Sequence, residues 1–365
     1  MGSLKSAKGN WIKTRFIPGL FILLSIGLLA LWQPGPARLA RATGAEVQDN
    51  DAYDEEFAKG IGLLRRQRYE EALKSFKRAN ELRERKSAPS FLGMAQSYLG
   101  LEAYKNVVES TDRAIEFAGN DVALMAQAYN VKGLALQAQS EGKNQKKLQE
   151  AEAALRQGLA TGSDAVPMLH YNLGLVLMQQ NRDPEGVATL KKYLELQRNA
   201  PNSEEVSKMI GNPRRAREPY APDFSFTTAD GEYVTVDDLR GKVVVLDFWG
   251  TWCPPCVSAV PSLRDLNKKY SKDPNFMMIG IATRDEEDTW RSFIAENKMI
   301  WRQARDESGA VQRAFKVRAF PTYLVIDHEG IMRYRGTGAS DAREAALEDA
   351  VRQHLKLAGK SQTPN

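Results

Sequence analysis

The stretch Lys242–Cys256, KVVVLDFWGTWCPPC, decides how this chain is read. Val243–Trp249 is a near-continuous apolar run rich in β-branched residues, the pattern of a central strand buried on both faces. It breaks at Gly250-Thr251-Trp252, and a helix is expected through Val257–Tyr270. Proline is tolerated in a first helical turn, where its missing N–H costs nothing, so Pro254 and Pro255 stiffen the handover from strand to helix. A thiolate is the attacking species in sulfur exchange, and the free N–H groups and positive dipole end of a helix lower a thiol pKa. Cys253 stands at that helix start and is expected to be the exposed nucleophile. Cys256 follows one turn later on the same side, placed to resolve a mixed disulfide. Asp247 lies between apolar neighbours, so desolvation should raise its pKa towards neutrality and let it take the proton from Cys256.

The chain has only these two cysteines, too few for a disulfide-stapled scaffold. A zinc site needs two more ligands, and His170, His328 and His354 have no ligand spacing. A purely structural bridge is the alternative, disfavoured by C-P-P-C beside Trp252. No cofactor is expected.

Beyond the cysteines the pattern predicts a strand over Phe276–Ala282, a helix over 287–297 and a short helix over 309–315. A strand Tyr323–Asp327, a turn His328–Gly330, a strand Ile331–Arg335 and a helix Asp341–Leu357 follow. Alternating strands and helices closed by a hairpin imply an α/β domain around a mixed sheet, over 221–357, with a disordered tail at 358–365. V-x-D-F-W-x-x-W-C-P-P-C, with Phe320-Pro321-Thr322 before a later strand, resembles thioredoxin. Ala221-Pro222-Asp223-Phe224 and Asp238-Leu239-Arg240-Gly241-Lys242 narrow the resemblance to the TlpA/ResA-like branch.

That resemblance implies a membrane-anchored bacterial thiol–disulfide oxidoreductase facing the periplasm or cell exterior. It also implies a cis peptide at Pro321, offering backbone to the substrate chain, with Phe320, Trp249 and Trp252 as apolar packing and substrate rim. The chain departs from the branch at two places: Asp247 stands where many relatives have Asn, and Ala259 where they have Glu. The acid is instead at the position thioredoxin uses.

Residues 53–200 read as helix after helix, with small residues recurring at Gly60, Ala95, Gly133 and Gly174. The unit Gly60–Ala72–Ala79 resembles the tetratricopeptide (TPR) signature, in which small residues let two antiparallel helices approach closely. The implied fold is an all-α TPR-like solenoid, with the polar SEGKNQKK stretch lengthening one turn. Its concave face is either a peptide- or partner-binding groove or a spacer. Residues 201–220 read as a capping helix and Pro-rich linker, with Arg214, Arg215 and Arg217 a solvated hinge.

At the other end, Phe16–Trp32 is almost wholly apolar and follows Lys5, Lys8, Lys13 and Arg15. A basic 1–15, a span at 16–32 and a linker at 33–52 give a single-pass anchor in the bacterial inner membrane with the bulk of the chain periplasmic. A cleaved signal peptide ending at Ala40-Arg41-Ala42 is the alternative. The formal charge of +5 comes without a dense basic tract interleaved with aromatics, which argues against nucleic-acid binding.

The expected function is therefore a tethered thiol–disulfide oxidoreductase, more a reductase of client disulfides than a general oxidant. Its partners are client proteins and an upstream thiol protein that donates or accepts electrons. A TPR-based scaffold with a redox-modulating domain is the second reading. A peroxidase is the third, and it lacks the Pro-x-x-x-Thr/Ser-x-x-Cys setting.

Overall fold

A computed structural model of the chain describes residues 44–162 and 166–361. They divide into two compact units that meet in sequence between Arg217 and Glu218. The segment Phe16–Trp32 lies outside the described residues, and no described helix is long and apolar enough to cross a membrane.

In the first unit α1 (Gly44–Arg65), α2 (Tyr69–Glu81), α3 (Ala88–Gly100), α4 (Tyr104–Phe117), α5 (Val122–Ser140), α6 (Gln145–Ala160), α7 (Met168–Gln179) and α8 (Asp183–Leu196) follow one another. Each packs on its successor, and α1, α3 and α5 also pack each on the next odd-numbered helix. Small residues set the approach. A Cβ on Gly60 would lie 2.7 Å from the Phe76 ring, and one on Gly174 would lie 2.7 Å from Leu190. Bulk on one helix therefore fills the space that a glycine leaves on its neighbour. The side chains of Ser87, Asp121 and Asn144 cap α3, α5 and α6 by accepting N–H bonds from Ser90, Leu124 and Lys147.

Two expectations change here. The SEGKNQKK stretch does not lengthen its turn, because Ser140 still belongs to α5, Asn144 caps α6 and Gln145 already belongs to it. Nor is Arg217 a solvated hinge. After α9 (Ser203–Gly211) and a 3-10 turn at Pro213–Ala216, its guanidinium donates to the carboxylate of Asp183 and the carbonyl of Met178, which ties the end of the unit down.

The second unit holds β1 (Ser225–Thr227), β2 (Tyr233–Thr235), β3 (Val243–Trp249), α10 (Pro254–Tyr270), β4 (Phe276–Ala282), α11 (Glu287–Glu296), β5 (Arg302–Arg305), α12 (Ala310–Ala314), β6 (Thr322–Ile326), β7 (Met332–Thr337) and α13 (Asp341–Ser361). β1 and β2 form an antiparallel hairpin. The main sheet has the order β5-β4-β3-β6-β7. β3 is parallel to β4 and antiparallel to β6, β5 is parallel to β4 and β7 antiparallel to β6, so the sheet is mixed. The helix α13 runs on to Ser361, past the expected end at Leu357.

Alternation along β3 divides the core. Val244, Leu246 and Phe248 join Phe224, Val311 and Phe315 on one face. Val243, Val245 and Trp249 join Cys253, Cys256, Val260, Leu347 and Val351 on the other. The active-site helix and the chain's last helix therefore cover one face of the sheet.

Candidate active site

Cys253 is the N-cap of α10, and its Sγ accepts the N–H of Cys256 at 3.3 Å. The two are joined as a disulfide with Cα atoms 5.3 Å apart. Cys253 is 4% exposed and Cys256 3%, so the expectation of an exposed Cys253 does not hold in this oxidised state. Both cysteines lie in the apolar layer under α10. Exposure then does not tell the two apart. The helix cap does, because only Cys253 faces the free N–H groups of the first turn.

Asp247 lies on β3 between Gly280 of β4 and Tyr323 of β6. By strand alternation its side chain shares the cysteine face with Val245 and Trp249. It is 1% exposed and its Oδ1 accepts no hydrogen bond from the protein. Desolvation pushes its carboxyl up to about 8. The Tyr323 phenol beside it is raised as well, first by its own burial and then by the charge of Asp247.

The substrate-rim residues separate. Trp249 is 1% exposed, packed on Phe293 at 5.5 Å, and cannot line a rim. It is the last residue of β3 and turns into the core. Trp252 is 43% exposed and packs edge-on to Phe320 at 5.3 Å. The Phe320–Pro321 peptide is cis, and Phe320 packs against the same apolar cluster as the two cysteines.

The sequence reading missed the residues that hold this loop, because they come from the segment after β4. The N–H of Thr251 donates to Asp285 at 3.1 and 3.2 Å, and the Thr251 hydroxyl donates to the same buried carboxylate. The Trp252 indole N–H donates to the Thr283 carbonyl at 2.8 Å, and the Thr283 N–H to the Trp249 carbonyl at 3.0 Å. The Arg284 guanidinium sits 4.1 Å from the Trp252 ring centroid and 5.4 Å from that of Phe320. No local pattern marks Thr283, Arg284 or Asp285. Only the pairing of β3 with β4 brings them to the cysteines.

The Redoxin family profile matches residues 216–351. The thiol–disulfide oxidoreductase ResA of Bacillus thuringiensis subsp. konkukian is 29% identical over 130 residues, 35% of this chain and 75% of the relative. ResA of Oceanobacillus iheyensis is 30% identical over 139 residues, 36% of this chain and 72% of the relative. A solved thiol:disulfide interchange protein of the thioredoxin family from Chlorobium tepidum is 27% identical, over 38% of this chain and 97% of its own, with a TM-score of 0.35. Through its second unit, the chain belongs to the redoxin family of thioredoxin-like thiol–disulfide oxidoreductases.

Proposed function

We propose that this oxidoreductase reduces disulfides of client proteins through a Cys253–Cys256 dithiol, held outside the cytoplasm by an N-terminal anchor. The observation that carries the reading is Cys253 as the cap of α10, bonded to Cys256, with the Cys256 N–H directed at its sulfur. In the reduced enzyme the Cys253 thiolate attacks one sulfur of a client disulfide. A Cys253–client mixed disulfide forms, and the other client sulfur leaves as a thiolate that takes up a proton. Asp247 then accepts the proton of Cys256, whose thiolate attacks Cys253 Sγ. The enzyme disulfide forms, and the second client sulfur leaves and is protonated. The client has gained two electrons and the enzyme has lost two. An upstream dithiol protein restores the enzyme, and protonated Asp247 returns its proton to Cys256 as that sulfur leaves.

Trp252, Phe320 and cis-Pro321 form the client-facing rim in this reading, whereas Trp249 only packs. The charge-free Phe16–Trp32 run behind four basic residues supports a single inner-membrane span with both units periplasmic. The first unit is TPR-like in its pairing of helices and its glycine-to-bulk contacts. An open groove of ≈ 700 Å³ there, lined by Lys105, Asp112, Lys132, Leu136 and Glu150, is the place for a protein partner in this reading.

The test is disulfide reduction by the dithiothreitol-primed protein. Cys253→Ser abolishes it, and Cys256→Ser accumulates mixed disulfides with clients. Asp247→Asn slows release of the mixed disulfide, most clearly near pH 7. Equal alkylation rates for the two thiols of the reduced protein would overturn Cys253 as the nucleophile.

A further inference from the structure

One row of the main sheet runs Gln303 on β5, Gly280 on β4, Asp247 on β3 and Tyr323 on β6, each in register with the next. All four positions belong to the cysteine face, since their strand neighbours two residues away are Trp301, Met278, Val245 and Val325. Gly280 leaves a gap in that row, and the Gln303 side chain lies in it. A Cβ on Gly280 would meet Gln303 Oε1 first, then Cδ at 2.9 Å and Nε2 at 3.0 Å. Adjacent strands are about 4.8 Å apart, so the carboxamide rests one strand spacing from Asp247, with no intervening side chain.

Gln303 is 3% exposed, and neither its Oε1 nor its Nε2 has a hydrogen-bond partner. A buried carboxamide with both atoms unpaired is costly and calls for a reason. Along this row the Oδ1 of Asp247 and the Tyr323 hydroxyl, on the next two strands, are unpaired as well.

We propose that Gln303 is a positioning residue for Asp247: from its place over Gly280 the carboxamide turns Nε2–H onto the carboxylate whenever Asp247 ionises. The inference rests on the proposed role of Asp247 as proton carrier and names what makes that role affordable in an apolar layer. Tyr323 on β6 is the titratable neighbour in this row, and Cys253 and Cys256 at the start of α10 are bridged and do not titrate in the oxidised chain. Tyr334 on β7 and Glu344 on α13 act on the Tyr323 hydroxyl. None of these is a cation, so no fixed positive charge does the work assigned to the amide.

The experiment follows the Asp247 carboxyl by carbon NMR in the full oxidised chain, its signal identified by loss in Asp247→Asn. Gln303→Met keeps the volume and removes the amide. A hydrogen bond to a charged group is worth about one to two pH units, so the midpoint should move up by that much. Gly280→Ala, which pushes the carboxamide away from the opposite strand, should move it in the same direction. An unchanged midpoint in both variants overturns the proposal. The pH profile of mixed-disulfide resolution is read in the same variants. If the titration moves while the resolution profile stays, Gln303 does tune Asp247, and the proton-carrier role of Asp247 is what fails.

Discussion

Replacing Asp247 with Asn should make the redox unit more stable while slowing its chemistry, and the size of the gain should depend on pH. The carboxyl is fully buried, and its pKa rises from an ordinary 3.8 to about 8, with desolvation as the cause. In the unfolded chain it ionises near its ordinary value, so over that interval folding must take up a proton. The acid's contribution is thus fully present below pH 3.8, declines as pH rises, and is lost as pH passes about 8. At about 1.4 kcal/mol per pH unit, the penalty is roughly 2 kcal/mol at pH 5 and roughly 4 kcal/mol at pH 7. Asn has nearly the same shape and no charge to bury, so Asp247→Asn should recover about these amounts, and almost nothing near pH 3.5. The assay is guanidinium denaturation of the oxidised protein followed by tryptophan fluorescence. Trp249, Trp252, Trp290 and Trp301 lie in the second unit, and with Trp11 and Trp32, outside the described residues, replaced by Phe in the reference and variant alike, the signal reports that unit alone. A gain of equal size at pH 5 and pH 7, or a loss at pH 7, refutes the reasoning.

Asp285→Ala should leave Thr251 without its acceptor and loosen the active-site turn, costing about 1–3 kcal/mol in the same assay and raising the alkylation rate of reduced Cys256. Phe76→Ala empties the space against Gly60 and should cost about 3–5 kcal/mol in the helical unit, read by far-ultraviolet circular dichroism, with the tryptophan signal unmoved. For topology, N-terminal sequencing of the mature protein should find a start ahead of Phe16; a start at Thr43 would mean a cleaved leader.

By itself the sequence determined the elements whose signals are local. The Val243–Trp249 run, the helix α10 after the cysteine pair and the apolar runs of β4 and β6 appear within three residues of their expected places. The acid at Asp247 was legible for the same reason, as a charge inside an unbroken apolar strand. Short strands were not. β1 and β2 have three residues each, and β5 reads RQAR, with no apolar alternation. β5 is a strand only because β4 offers it an open parallel edge.

Tertiary structure alone decided which aromatic faces the client. Trp249 and Trp252 look alike in sequence, but strand alternation turns the first into the core, and the Thr283 carbonyl holds the second at the surface. It alone also brought Asp285 to Thr251 and Gln303 to Asp247, 34 and 56 positions away, because hydrogen-bonded register between strands is set by the whole sheet and leaves no local mark on the chain.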